Sequence, residues 1–186
     1  MSELILFHHV QGLGDDVHAF ADELRAAGHE VHVPDLLDGR TFPTIPEGIA
    51  HVQEIGFETI VQRGRAAVEG LPDELVYIGI SLGVIPAQLL AQTRPGAQAA
   101  VFLHSAIPPS ELGSPWPAGL PAQIHLGEHD AEMLPPNGDL AAARALAAAE
   151  EGVELFLYPT ETHLFKDYAE ADATLLKERV LAFLRP

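Results

Sequence analysis

Leu75-Val76-Tyr77-Ile78-Gly79-Ile80-Ser81-Leu82-Gly83 decides how this chain is read. An apolar run of strand character leads straight into a serine flanked two residues away on each side by glycine. A strand that bends sharply into a helix lifts such a serine out of the sheet. Glycines at those two places remove the Cβ atoms that would clash in so tight a bend. The helix that follows aims its first free N–H groups at the space above the serine oxygen. Ser81 is therefore the candidate nucleophile.

Working outward, short apolar runs alternate with longer helix-patterned segments, as in successive parallel βαβ units. Six runs read as strands, near Glu3–His8, Glu30–Val33, Glu74–Ile80, Ala99–His104, Ala122–Leu126 and Glu154–Tyr158. Most are continuously apolar, as expected of strands covered by helices on both faces. Helices are predicted over Asp15–Ala27, Glu47–Glu69, Leu82–Gln92, Asp139–Glu151 and Ala169–Leu184, the last with Leu175, Leu176 and Val180 on one face. Pro86 falls just beyond the positions where proline is free of cost, which predicts a local irregularity. The proline-rich connection from Ser105 to Pro121 forbids a regular helix. It carries the only tryptophan and either roofs a pocket or is a plain surface connection.

Composition narrows the function classes. The 186 residues suit one domain over 1–186, with 47% hydrophobic and 20% charged residues. Ten basic against twenty-seven acidic residues give a net charge of −17, which argues against nucleic acid and anionic membrane surfaces as partners. A small molecule is the expected partner, and a homodimer stays open. With no cysteine, disulfides, thiolate metal sites and cysteine nucleophiles are excluded. The N-terminal residues read as a first strand rather than a signal peptide, and no apolar stretch approaches the roughly 20 residues of a membrane span. A cytoplasmic protein is the expectation.

A serine needs a general base, and the base needs an orienting group. The fifth predicted strand runs into Gly127-Glu128-His129-Asp130, and the sixth into Tyr158-Pro159-Thr160-Glu161-Thr162-His163. Parallel strands bring all their C-terminal ends to one edge, so Ser81, Asp130 and His163 can converge there. His163 would serve as base and Asp130 as its partner, with Glu128 next in line. The oxyanion would take the backbone N–H of Leu82 and one from the loop after the first strand, where Val10 is preferred and Gln11 is the alternative. Pocket walls are expected from His9, Gln11, Phe42, Ile107 and Trp116. Of the ten histidines, His8, His9, His104, His125, His129 and His163 lie at or near strand ends. His125 is expected to point into the packing of the sheet. No pair sits on a regular element with carboxylate support beyond Asp130, so no metal is expected. Gly12-Leu13-Gly14 lacks the third glycine of a dinucleotide turn and runs into Asp15-Asp16 where a pyrophosphate needs positive potential, so no cofactor is expected either.

These residues resemble the dienelactone hydrolase family of the α/β-hydrolases, in which serine, aspartate and histidine follow one another in this order. The carriers are Leu6-Phe7-His8-His9-Val10-Gln11-Gly12, Pro34-Asp35-Leu36 with Gly39, the elbow around Ser81, Gly127-Glu128-His129-Asp130, and Tyr158-Pro159 ahead of His163-Leu164-Phe165. The resemblance implies a trimmed α/β-hydrolase fold lacking the family's first two strands: a six-stranded, mostly parallel sheet flanked by helices on both faces. It also implies a Ser81, Asp130, His163 triad with the Val10 and Leu82 N–H groups as oxyanion hole. Three departures point away from the namesake reaction. Those enzymes use a cysteine nucleophile, carry a glutamate where His9 stands, and bind a substrate carboxylate through arginines where this chain has Lys166-Asp167. A serine esterase, lactonase or thioesterase acting on a less acidic substrate is the resulting expectation. The alternative is a non-catalytic binding domain on the same fold.

Overall fold

The computed structural model describes residues 2–134 and 138–185. Six strands form one sheet: β1 (Glu3–Phe7), β2 (Glu30–His32), β3 (Val76–Ile80), β4 (Ala99–Leu103), β5 (Ala122–Gly127) and β6 (Val153–Tyr158). Their spatial order is β2-β1-β3-β4-β5-β6, and all five pairings are parallel. The chain adds β2 on one side of β1 and every later strand on the other. The order therefore reverses between β1 and β3, and loops leaving those two strands part to open a crevice at their C-terminal ends.

Alternation along the strands divides the core in two. Leu4, Leu6, Val76, Ile78, Val101 and Leu103 face one way, against Val17, Phe20 and Leu24 of α1 (Asp15–Ala26) and Leu176 and Val180 of α6 (Glu170–Phe183). Ile5, Phe7, Tyr77, Phe102 and Ile124 face the other, against α2 (Ile45–Ile55), α3 (Phe57–Ala66), α4 (Val84–Thr93) and α5 (Asp139–Ala149). Each fully buried large apolar side chain contributes roughly 1.5–3 kcal/mol. Among the described residues no helix is long and apolar enough to cross a membrane.

The helices depart from the sequence expectation in three places. The segment expected as one helix over Glu47–Glu69 is two. Gly56 adopts φ 84, outside the helical region, and splits α2 from α3. Thr44 caps α2, accepting from the Glu47 N–H while its hydroxyl donates to Glu47 Oε2 at 2.6 Å, so the helix starts at Ile45. The irregularity expected at Pro86 lies before it instead. A 3-10 turn over Ser81–Gly83 precedes α4, which places Pro86 in the first turn, where a missing N–H has no intrahelical acceptor to lose. On α6, Leu175 is 39% exposed, while Leu176 and Val180 are buried and Ala173, Leu181 and Phe183 pack against the same core.

Nearly all of α4 is buried, including two glutamines. Gln88 donates to the Ile107 carbonyl at 2.6 Å and accepts from the Ile107 N–H at 3.1 Å. Gln92 donates to the Pro109 and Ser114 carbonyls. These amides supply the hydrogen bonds that a proline-rich segment cannot make to itself, and they fasten the Ser105–Pro121 connection to the fold.

Candidate active site

Ser81 sits at the tip of the turn between β3 and α4 with φ 51, a left-handed conformation that is strained for a residue with a side chain. Its glycines are dictated by close approach. A Cβ on Gly79 would lie 2.5 Å from the Gly83 carbonyl oxygen, and one on Gly83 would lie 2.2 Å from the Phe7 carbonyl oxygen. The elbow is thus folded on itself and pressed against the end of β1.

Two more loops at the same edge reach Ser81. Beyond β5 and β6 the parallel pairing continues through Glu128 N–H to Tyr158 C=O (2.8 Å) and His129 N–H to Thr160 C=O (3.1 Å). This ties the loop that carries Asp130 to the one that carries His163. Asp130 is 1% exposed, and its Oδ1 accepts from the Glu132 N–H at 2.9 Å. His163 Nδ1 lies 2.7 Å from Asp130 Oδ2, and His163 Nε2 lies 2.7 Å from Ser81 Oγ. An ionised carboxylate can only accept, so the imidazole proton rests on Nδ1 and Nε2 is left to accept from the serine. Glu128 is exposed and points to no such bond. The arrangement is a carboxylate–imidazole–hydroxyl chain able to draw a proton from Ser81.

His104 completes the support. Register places it beside Ser81, since Ile80 pairs with Leu103. Fully buried at φ 64, it accepts from the Phe165 N–H through Nε2 (3.1 Å), and its Nδ1 lies 3.2 Å from the Tyr168 hydroxyl. Its ring lies 5.9 Å from that of His163. Burial first, then the neighbouring His163, push His104 well below the ordinary imidazole range, so it stays neutral. Its position directly after the fourth strand, at the edge shared with Ser81, was the signal for its place in the site.

The loop after β1 lies across the crevice. His9 Nε2 is 2.8 Å from Asp16 Oδ2, and His9 Nδ1 accepts the Gln11 N–H at 3.2 Å. The Gln11 side chain donates to the Phe42 and Pro43 carbonyls at 3.3 and 2.8 Å. Val10 and Leu82 both line the cavity beside Ser81. Burial works to raise Asp16, but the His9 hydrogen bond and the Lys166 charge outweigh it and hold that carboxyl below its usual range.

That cavity has a volume of 430 Å³. Ile45, Ile49 and Val52, spaced along one face of α2, form an apolar wall, and Ile107 and Met133 add to it. Of the expected wall residues, Ile107 is there, held by Gln88. Trp116 is not. It packs edge-on against Phe102 in the core, donates Nε1–H to the Leu120 carbonyl at 3.0 Å, and borders a different hollow near α5. Phe42 also lies elsewhere, its ring 5.2 Å from that of His51, and His9 and Gln11 are turned to Asp16 and to the 42–43 backbone. Ser105 and Asp139 were not anticipated. Asp139 Oδ2 accepts from Ser105 Oγ at 2.7 Å, and burial raises the Asp139 carboxyl against the effect of that bond. No local pattern marked them, because they meet across 34 residues.

Of the other strand-end histidines, His129 is exposed, while His8 and His125 are packing residues. His125 is buried between Tyr158 and Gln123, and burial with the Arg179 charge pushes it down to about 3. His8 donates Nδ1–H to the His9 carbonyl and accepts the Leu36 N–H, and burial lowers it too. Among the described residues, Glu3, Glu30 and His32 bring potential metal-ligand atoms within 4.8 Å of one another. Glu3 and Glu30 open β1 and β2, at the edge of the sheet remote from Ser81.

Known proteins bear on the fold and the family. Residues 2–185 match the model of the dienelactone hydrolase family. The dienelactone hydrolase of Anabaena variabilis superposes with a TM-score of 0.68 at 20% identity, covering 99% of this chain and 88% of that one. A dienelactone hydrolase-like promiscuous phosphotriesterase from metagenomic libraries gives 0.74 at 16% identity, covering 99% and 85%. Esterase PE8 gives 0.70 at 16%, covering 98% and 93%. No curated protein matches in sequence.

Proposed function

The chain belongs to the dienelactone hydrolase family, and from that premise we propose a serine hydrolase that cleaves a carboxylic ester, lactone or thioester of a small substrate through an acyl-enzyme on Ser81. The observation that carries the proposal is the unbroken chain Asp130 Oδ2, His163, Ser81 Oγ, with 2.7 Å at each link.

In the first half-reaction Ser81 Oγ attacks the carbonyl carbon as its proton passes to His163 Nε2. The carbonyl π electrons move onto oxygen, and the oxyanion is met by the Val10 and Leu82 N–H groups, each such donor supporting roughly 3 kcal/mol of barrier lowering. Asp130, shielded from water, holds the Nδ1–H tautomer and stabilises the imidazolium. His163 then gives the proton to the departing alkoxide or thiolate as its bond to carbon breaks. Water repeats the sequence on the acyl-enzyme, releasing the acid and restoring Ser81. Neutral His104 below the imidazole adds no positive charge to oppose its protonation. One domain over residues 1–186 and a cytoplasmic location accompany this reading.

A fluorophosphonate probe tests it. Wild-type protein labels on Ser81 by peptide mass spectrometry, and Ser81→Ala does not label. Absence of labelling on folded wild type overturns the proposal in favour of a binding domain.

A further inference from the structure

The strand order divides the lining of the Ser81 cavity into two unlike halves. β3, which leads into Ser81, runs between β1 and β4. Segments that follow β1 and β2 therefore reach Ser81 from one side, and those that follow β4, β5 and β6 reach it from the other. On the first side the lining is apolar throughout: Val10, Ile45, Ile49, Val52 and Phe57. Ile85 on α4 extends that surface. On the second side Ile107 and Met133 stand among polar residues, including Ser105, Asp139 and His163.

The apolar half is closely joined to the site. A Cβ on Gly48 would lie 2.3 Å from the Val10 carbonyl oxygen, and one on Gly64 would lie 2.3 Å from Pro86 Cβ. Glycine at these places lets α2 lie against the turn that carries Val10, and α3 against α4. Ile45, Ile49 and Val52 recur at helical spacing along about 10 Å of axis, the length of an extended chain of about eight carbons. Ile45 and Ile49 are only half-buried, and Phe57 is 51% exposed. The fold thus leaves this wall uncovered where a ligand can lie on it.

The roles proposed above assign the two halves to two parts of a substrate. The departing atom must lie against His163, which protonates it, so the leaving group enters the polar half. The carbonyl oxygen takes the Val10 and Leu82 N–H groups. The acyl substituent is then the one turned away from His163, toward α2. Each methylene it buries there tightens binding by up to about fourfold.

We propose that the Ser81 cavity takes esters of an unbranched aliphatic acid of about six to eight carbons, its chain seated along Ile45, Ile49 and Val52 and its leaving group beside Ser105 and Asp139. This rests on the hydrolase reading for the direction of the ester, and the experiment separates the two. Wild type is assayed with ethyl octanoate and octyl acetate, isomers that differ only in which side of the ester carries the long chain. Ethyl octanoate is expected to have a kcat/KM about tenfold higher than octyl acetate, and about tenfold higher than ethyl butyrate. Ile49→Trp, which fills the wall midway, should lower the octanoate-to-butyrate ratio about fivefold. Partial unfolding of that variant would reduce both rates alike and leave the ratio unmoved. In a second measurement without turnover, Ser81→Ala is titrated by calorimetry with the two ethyl esters, and the octanoate should bind about tenfold tighter. Equal kcat/KM for the two isomers, a preference for octyl acetate, or equal affinities of the two ethyl esters overturns the proposal. Absence of fluorophosphonate labelling on wild type marks failure of the hydrolase reading instead, and the calorimetry then still decides whether the wall takes the chain.

Discussion

The Gln11 N–H donates to His9 Nδ1 at 3.2 Å, and that bond takes Gln11 out of contention as an oxyanion donor. Nδ1 must be unprotonated to accept it, so the His9 proton lies on Nε2 and is given to Asp16 Oδ2 at 2.8 Å. His9 therefore splints the turn that presents Val10, and it stands where the family's namesake enzymes carry a glutamate. Removing the splint leaves Val10 in place on average but free to move. His9→Ala is expected to lower kcat about tenfold with KM little changed, less than the ~10²–10³ lost with an oxyanion donor itself. Steady-state kinetics on a small ester check this, and a rise in KM alone would assign His9 to substrate binding instead.

Asp130→Asn keeps the volume of the side chain but can donate to His163 Nδ1 and so favours the wrong tautomer. The expected loss is about 10⁴-fold in kcat with the fold intact by circular dichroism. Near-wild-type turnover would move the acid to another residue.

Gly83→Ala puts a methyl group 2.2 Å from the Phe7 carbonyl oxygen, where backbone rather than a flexible side chain must give way. A cost of about 3 kcal/mol corresponds to a fall of roughly 6–12 °C in Tm for a chain of this size. Scanning calorimetry reads the shift, and an unchanged Tm would mean that the elbow sits further from β1.

Gln88→Leu removes both bonds to Ile107 and leaves its N–H and C=O without partners. Each orphaned group costs about 1–3 kcal/mol. The expected result is a lower Tm together with a raised KM, because Ile107 lines the cavity. A lower Tm with unchanged KM would separate the anchoring of this connection from the shape of the site.

Stability should fall between pH 7.5 and 5.5. His125 is depressed to about 3 in the folded protein against 6.5 as a free group, and His104 is depressed as well. The unfolded chain binds protons on these residues below about 6.5 while the folded chain does not, so their contribution is whole above that pH and is lost progressively below it. At pH 5.5 the two depressed rings together cost on the order of 2–3 kcal/mol. Thermal unfolding at the two pH values measures this, and His125→Gln should make the difference smaller. A flat profile would mean that these rings are protonated in the folded state.

Much of the site was legible because its information is local. Ser81, Asp130 and His163 each stand just past an apolar run, and the parallel arrangement implied by alternating strands and helices carries such positions to one edge. The elbow glycines could be read for the same reason, since a tight bend excludes Cβ atoms whatever surrounds it. The break at Gly56 was not legible, because glycine inside an amphipathic pattern either continues a helix or ends it according to how the two halves pack. Trp116 and Phe42 misled for a related cause: apolar side chains in loops go wherever a core gap accepts them, and Trp116 found Phe102.

By itself the sequence determined the order of the six strands, the parallel sheet, and the placement of Ser81, Asp130 and His163 just past strand ends, since hydrophobic periodicity acts over a few residues. Tertiary structure decided which residues line the cavity beside Ser81, bringing Ile45, Ile107 and Asp139 together there. Those outcomes depend on contacts between residues tens of positions apart, such as Ser105 with Asp139, and no local pattern encodes a meeting that packing of the whole fold creates.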